Sequence, residues 1–431
     1  MTQQQQQQKG NVVAIIMMIL LFGMISFVTN LAAPMGTVLK TQFNIENFLG
    51  TLGVFANFIA YAVMGIPGGI LLQRYGYKKT ALIAVAVGFT GVGIQCLSGV
   101  AGSFVIYLLG AFIAGFSMCL LNIVVNPMLN TLGGAGNKGN QLIQIGGSFN
   151  SLCGTAVPML VGILVGDIAK ANITNVYPVM FIALAVFALV FVGLILTRIP
   201  EPHLTAVAKE KSAYSPLSFR HFVLGAVGIF VYVGVEVGIP DVLNKFLVDP
   251  NGIKIAATTA GFVAGTYWFM MLIGRLVGAV IGAKVSSKVM LSVASIIGLA
   301  LVGLAIFSPT DTAHWVKLPV LMRDEIGALS IGFASVPISA MYLVLAGLCT
   351  SVMWGGIFNL AVEGLGKYTA KASGFFMVLV CGGGILPLLQ NKIADLSTYM
   401  DSYWVVIAGL LYLLFYALVG SKNVNKNIPV E

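Results

Sequence analysis

The feature that most constrains this chain is a repeated one: apolar runs of about 20 residues recur along nearly its whole length. Wound as a helix rising about 1.5 Å per residue, such a run spans the roughly 30 Å hydrocarbon core of a bilayer. The runs fall near residues 12–38, 49–73, 79–99, 103–130, 141–166 and 174–198, then near 220–247, 256–282, 286–308, 337–364, 371–393 and 402–421. Only 9% of the 431 residues are charged and 58% are hydrophobic, so a soluble domain of this size could not cover its surface. Backbone polar groups have no water to bond inside lipid, which favours helices. The expected fold is an all-α membrane protein of twelve transmembrane helices.

One long polar interruption, Arg198 to His221, divides the runs into two sets of six. The reading is a disordered polar tail at 1–10, an N-terminal six-helix half at 11–198, a cytoplasmic linker at 199–219, a C-terminal six-helix half at 220–421 and a cytoplasmic tail at 422–431. Two pseudo-symmetric halves joined by such a linker resemble the major facilitator fold, although hydropathy alone also describes other twelve-span proteins. A partly apolar outside segment, Pro309 to about Ser335, is expected to include a short interfacial helix.

The net charge of +9 raises the question of nucleic acid. With the N-terminus inside, the inside segments carry Lys9, Arg74, Lys78, Lys79, Lys138, Arg198, Lys209, Lys211, Arg220, Lys284, Lys288, Lys367, Lys371, Lys422 and Lys426. The outside segments carry fewer cations and most of the acids, among them Glu46, Asp167, Asp249, Asp311, Asp324, Glu325, Asp395 and Asp401. That asymmetry places both termini in the cytoplasm and explains the charge without nucleic acid. Cys96, Cys119, Cys153, Cys349 and Cys381 all fall inside spans without metal-ligand spacing, as buried thiols would. No cleaved secretory signal is expected, because the first apolar run is too long for one. No cofactor is implied.

The turn "GILLQRYGYKK" resembles the facilitator signature G-x-x-x-D-R-x-G-R-K, with Gly69, Arg74, Gly76 and Lys78 fitting and Gln73 where the acid is usual. Arg74 is read as a gating residue.

Polar side chains at bilayer depth need partners or a wet cavity. Asn122, Asn126 and Asn130 recur every four residues on one helical face, beside Pro127, which is expected to interrupt the helix and free a carbonyl. Gln144 and Asn150 lie on the fifth run, Asn30 on the first, Asn57 on the second and Asn359 on the tenth. Any single amide is readily explained by bonding between packed helices. Their accumulation suits a neutral hydroxylated solute, such as a sugar, a nucleoside or a polyol. Tyr232, Trp268 and Trp354 offer rings on which the CH face of a pyranose could stack.

Several stretches resemble the fucose/glucose/galactose symporter family of facilitators: "NPMLNTLG" with "SFNSLCGTAVPMLVGILV", then "YVGVEVGI", "YWFMMLIGRLVG" and "FNLAVEGLGKYTAKASGFFMVLVCGGGILPLLQNKIADL". The resemblance implies monosaccharide uptake across a bacterial cytoplasmic membrane, usually cation-coupled. Its proton-coupled members carry an acid in the first span and another in the fourth. Here those positions hold Ala32 and Ala33 after "TNL", and Asn122. Gly147 stands where the fifth-span pattern usually has Gln. Neither Ala nor Asn titrates, so the usual proton route is missing.

Glu236 is then the one deep acid. It is read as a packing residue, a sugar-hydroxyl acceptor or part of a Na+ or H+ coupling site. Arg275 is the one cation well within a span, able to pair with an acid or with backbone carbonyls. Glu363 is expected to form a gating or structural ion pair with Lys367 at i+4. The leading function is a monomeric, inner-membrane transporter moving a neutral monosaccharide by alternating access. The alternatives are a facilitative uniporter or an exporter. A membrane enzyme is disfavoured, since H-E-x-x-H, a nucleophile elbow and paired carboxylates are all missing.

Overall fold

The computed structural model describes residues 3–43, 47–134, 137–165, 172–201, 214–249, 253–323, 329–425 and 427–430. Glu46, Asp167, His203, Lys209, Lys211, Asp324, Glu325, Lys426 and most of the linker lie outside them, and the polar tail expected to be disordered is helical from Gln3. The helices are α1 (Gln3–Phe43), α2 (Asn47–Ala101), α3 (Phe104–Gly133), α4 (Lys138–Val165), α5 (Ile173–Leu196), α6 (Arg220–Val248), α7 (Ala257–Ile281) and α8 (Ser287–Phe307). Two strands follow, β1 (Trp315–Arg323) and β2 (Leu329–Pro337). Then come α9 (Ile338–Thr350), α10 (Met353–Val362), α11 (Thr369–Val378), α12 (Gly382–Leu396), α13 (Tyr399–Ser402) and α14 (Trp404–Phe415).

Ten stretches among the described residues are long and apolar enough to cross a membrane. One of them, Phe55–Ala101, has 47 residues, about 70 Å of helix and more than twice the hydrocarbon thickness. Gly76 interrupts it at φ 79° and ψ −179°, a conformation that favours a residue without Cβ. Helix α4 lies outside the ten. The outward faces are apolar at helical spacing: Val289, Val293, Ile296, Ile297 and Leu304 of α8 are exposed, while Ser295 and Gly298 are buried.

The chain separates into two compact units. Unit 1 holds Met1–Val223, Val362–Cys381 and Asn423–Glu431, and unit 2 holds Leu224–Ala361 and Gly382–Lys422. Within unit 1, α2 packs on α3, α5 and α11, and α1 on α4. Gly65 and Gly69 of α2 meet Gly374 of α11 backbone to backbone. A Cβ on Gly374 would lie 2.5 Å from the Gly65 carbonyl and 2.7 Å from the Gly69 Cα. Pro127 does not break α3, which runs unbroken to Gly133. It does free a carbonyl: Ile123, four residues back, accepts from Ser373 Oγ of α11 at 3.1 Å.

Unit 2 differs in having a helix that stops and restarts, α9 to α10 around residues 351–352. It also contains the β-hairpin. Among the described residues the segment between Pro309 and Ser335 forms, beyond a 3-10 turn at Thr312–His314, a hairpin in place of the expected interfacial helix: β1 and β2 pair antiparallel, with Lys317 opposite Ser335 and Pro319 opposite Phe333. The reason is the period of the side chains. Leu318, Val320, Ala334 and Val336 alternate inward and are buried, whereas Lys317, Pro319, Ile331, Phe333 and Ser335 point outward and are exposed.

Candidate functional site

In unit 1 the expected polar residues mostly close on one another. Asn122 Nδ2 donates to Tyr61 Oη at 2.8 Å and to the Met118 carbonyl at 3.1 Å. Asn126, fully buried, donates to the Asn122 carbonyl at 2.9 Å and to its Oδ1 at 3.3 Å. The amide face of α3 is thus tied to α2 and to itself. Asn150 donates to the Phe22 carbonyl at 2.8 Å, which joins α4 to α1. Asn30 donates back to Ser26, at 2.9 Å to its carbonyl and 3.0 Å to its hydroxyl. Gln144 is buried one turn before Ser148, whose hydroxyl donates to the Gln144 carbonyl at 2.9 Å. Asn57 stands apart. It is buried against Gly115, and among the described residues nothing hydrogen-bonds to its side chain.

The signature turn is built by a residue the sequence reading passed over. Glu201 accepts from the backbone N–H of Tyr77 at 2.7 Å with Oε2 and of Lys78 at 2.9 Å with Oε1. These are unsatisfied N–H groups just past the Gly76 break, where a helix attracts an anion. In return Lys78 Nζ donates to the Ile195 and Thr197 carbonyls, both at 2.8 Å, at the C-terminal end of α5. The carboxylate missing at Gln73 is therefore supplied from the other end of the unit. The available signal was an acid between two prolines directly after a span. Arg74 is exposed and lies over the Tyr75 ring at 5.4 Å.

The expected Glu363–Lys367 ion pair is not formed among the described residues. Glu363 is exposed, and Lys367 Nζ lies 5.8 Å from the centre of the Tyr368 ring. Gly364 and Gly366, with φ of 71° and 51°, stand between the two and remove the helical spacing on which the pair depends. The Glu363 backbone carbonyl instead meets His221 Nε2 at 2.9 Å.

Unit 2 gathers its polar residues around one acid. Tyr232 and Glu236 lie one turn apart on α6, and Tyr232 Oη donates to Glu236 Oε1 at 2.8 Å; Tyr232 is fully buried, so its ring is not the exposed stacking face expected of it. Arg275 Nη2 of α7 reaches the same oxygen at 3.2 Å. Arg275 Nε also points to the Ser351 carbonyl, 3.4 Å away, at the break between α9 and α10. Three residues further on, Trp354 packs beside Tyr232 with ring centres 6.2 Å apart. The side chains of Arg275 and Glu236 keep 12% and 14% of their surface accessible. Trp268 is 40% exposed and lies two turns before Arg275 on the same face of α7. The Asn359 amide donates to Ser287 Oγ of α8 at 3.4 Å. Nearer the C-terminal end of α6, Asp241 Oδ2 accepts from Lys245 at 2.9 Å and Asn391 at 2.8 Å, joining α6 to α12. Among the described residues no group of His, Cys, Asp and Glu is arranged to hold a metal ion.

A family model described as Major Facilitator Superfamily matches residues 15–388. The chain belongs to that superfamily. It is a membrane transporter by family and not an enzyme. It is 27% identical over 410 residues to a glucose/galactose transporter of Brucella abortus, covering 94% of this chain and 93% of the relative. A putative glucose/galactose transporter of Helicobacter pylori is 28% identical over 421 residues, with 94% and 95% covered. Among solved structures, the facilitator FucP in its outward conformation matches with a TM-score of 0.81 at 19% identity, covering 96% of this chain and all of that one.

Proposed function

We propose that the chain carries a neutral monosaccharide across the cytoplasmic membrane by alternating access, with hexoses such as glucose, galactose and fucose, or an N-acetylhexosamine, as the substrate class. Twelve crossings are counted by splitting the long α2 at Gly76 and adding α4, which gives two six-helix halves that open alternately to either side. Both termini are cytoplasmic in this reading, and the working unit is a monomer. The observation that carries it is the charge-compensated cluster of Glu236, Arg275 and Tyr232, with Trp354 beside it. A sugar exchanges its water for matched donors and acceptors and lays its apolar face on aromatic rings. The relatives named glucose/galactose transporter, aligned over almost their whole length, support the same substrate class.

A facilitative uniporter is the second reading, and Asn122 favours it. The amide that stands where proton-coupled relatives have an acid is bonded to Tyr61 and Asn126, and it cannot titrate. Radiolabelled hexose uptake into proteoliposomes, with Na+ and proton gradients imposed separately, tests both readings. The expected result is saturable uptake that a proton gradient alone does not concentrate. Accumulation under the proton gradient alone would overturn the argument from Ala33 and Asn122. Accumulation under the Na+ gradient would favour the symporter over the uniporter.

A further inference from the structure

Resting on that reading, we propose that Oε2 of Glu236 accepts a hydroxyl of the sugar, with Arg275 and Tyr232 as the positioning residues that hold the carboxylate and cancel its charge. The two oxygens of this carboxylate are treated unequally. Oε1 takes both protein donors, Tyr232 Oη at 2.8 Å and Arg275 Nη2 at 3.2 Å, from two different helices. Among the described residues no donor reaches Oε2. The side chain is 14% accessible, so those lone pairs are not sealed inside protein. A carboxylate fixed through one oxygen has its other oxygen aimed, and a neutral O–H is the partner that completes it.

Charge balance separates a hydroxyl from a cation here. The Glu236–Arg275 pair sums to zero, and a metal ion at Oε2 would also face the guanidinium bonded to Oε1. A cation site needs several oxygen ligands as well, and among the described residues no group of three or more His, Cys, Asp and Glu is arranged to hold a metal ion. A polyhydroxyl solute meets no such repulsion. The break at residues 351–352 serves both parts of the site, since Ser351 O receives Arg275 and Trp354 follows three residues later beside Tyr232. Glu236 on this account sets substrate affinity and specificity. It is not the coupling-ion site.

Calorimetric binding in nanodiscs tests the proposal, using glucose, galactose and fucose and then monodeoxy and monofluoro analogues of whichever binds. At one ring position both analogues should bind wild type about 10- to 100-fold more weakly, because neither CH2 nor C–F can donate to a carboxylate. Glu236→Gln should weaken the parent sugar by a similar factor and erase the difference between parent and that analogue. Tyr232→Phe should cost a few-fold in affinity while keeping the difference, and replacing Na+ with choline should change nothing. Should Glu236→Gln fail to fold with Arg275 left unpaired, the double variant E236Q/R275Q removes both charges and carries the same comparison. A parent-to-analogue ratio that Glu236→Gln leaves untouched at every position would make Glu236 a packing residue and overturn the proposal. Na+-dependent sugar binding that disappears in Glu236→Gln would overturn it in favour of a cation site. A flat wild-type titration with all three sugars would sink the parent reading first, a result separable from either.

Discussion

The amides of α3 and the acid of α6 solve the same problem in opposite ways. In unit 1, Asn122 and Asn126 spend their hydrogen bonds on Tyr61, on each other and on their own helix, and both are buried. In unit 2, Glu236 is anchored through one oxygen and has no donor on the other among the described residues, beside a paired cation and the buried Tyr232 on which Trp354 packs. Polar residues at bilayer depth are therefore not equivalent evidence of a substrate site. A saturated network stabilises helix packing, and an anchored group with a spare lone pair is poised to bind.

The comparison breaks most readily at Arg275. Arg275→Ala strands a carboxylate and should cost about 3–5 kcal/mol, read as a fall in the thermal unfolding midpoint, whereas E236Q/R275Q should recover more than half of it. Equal losses in the single and double variants would mean that the pair is not energetically coupled. The next largest effect belongs to unit 1. Gly374→Val pushes a side chain into the Gly65 backbone and should cost about 1–3 kcal/mol. Gly261→Ala on α7, where a Cβ meets nothing within 4 Å, should stay within about 0.5 kcal/mol of wild type. Glu201→Gln weakens the cap past Gly76 and should cost about 1 kcal/mol in the same measurement, with hexose affinity unchanged. A smaller loss again, roughly 0.6 kcal/mol, is expected for Asn122→Ala, with hexose affinity within about twofold of wild type, because Asn122 already has its partners. Asn57→Ala should do the reverse, lowering affinity with little change in the unfolding midpoint. If Asn122→Ala weakens binding more than Asn57→Ala, the division into closed and open networks is wrong.

Much of this was legible in the sequence because it depends on local spacing. The spans follow from apolar length, and the Tyr232–Glu236 pair from i, i+4 geometry. The carbonyl freed by Pro127 follows from proline chemistry, and Gly76 stands at the turn where the helix breaks. What escaped depends on partners far along the chain. No local pattern says that Asn122 faces Tyr61 instead of a cavity, or that Glu201 folds back 124 residues to reach Tyr77. The Glu363–Lys367 spacing suggested a pair only while the intervening helix was assumed, and two left-handed glycines cancel it. The hairpin was missed for a different reason: an apolar outside segment invited a helical reading, while the alternation of Leu318, Val320, Ala334 and Val336 carried the strand signal.

The crossing of Gly65 and Gly69 with Gly374 has a kinetic consequence. Where two helices touch through backbone alone, no rotamer is frozen on contact and none is released on parting, since glycine has no side-chain entropy to lose. The Val378 side chain approaches Gly65 at one end of this seam, and at Gly69 the nearest atoms are all backbone. For the alternating access proposed above, that smoothness would serve better than the grip of a Leu or Phe at the same place.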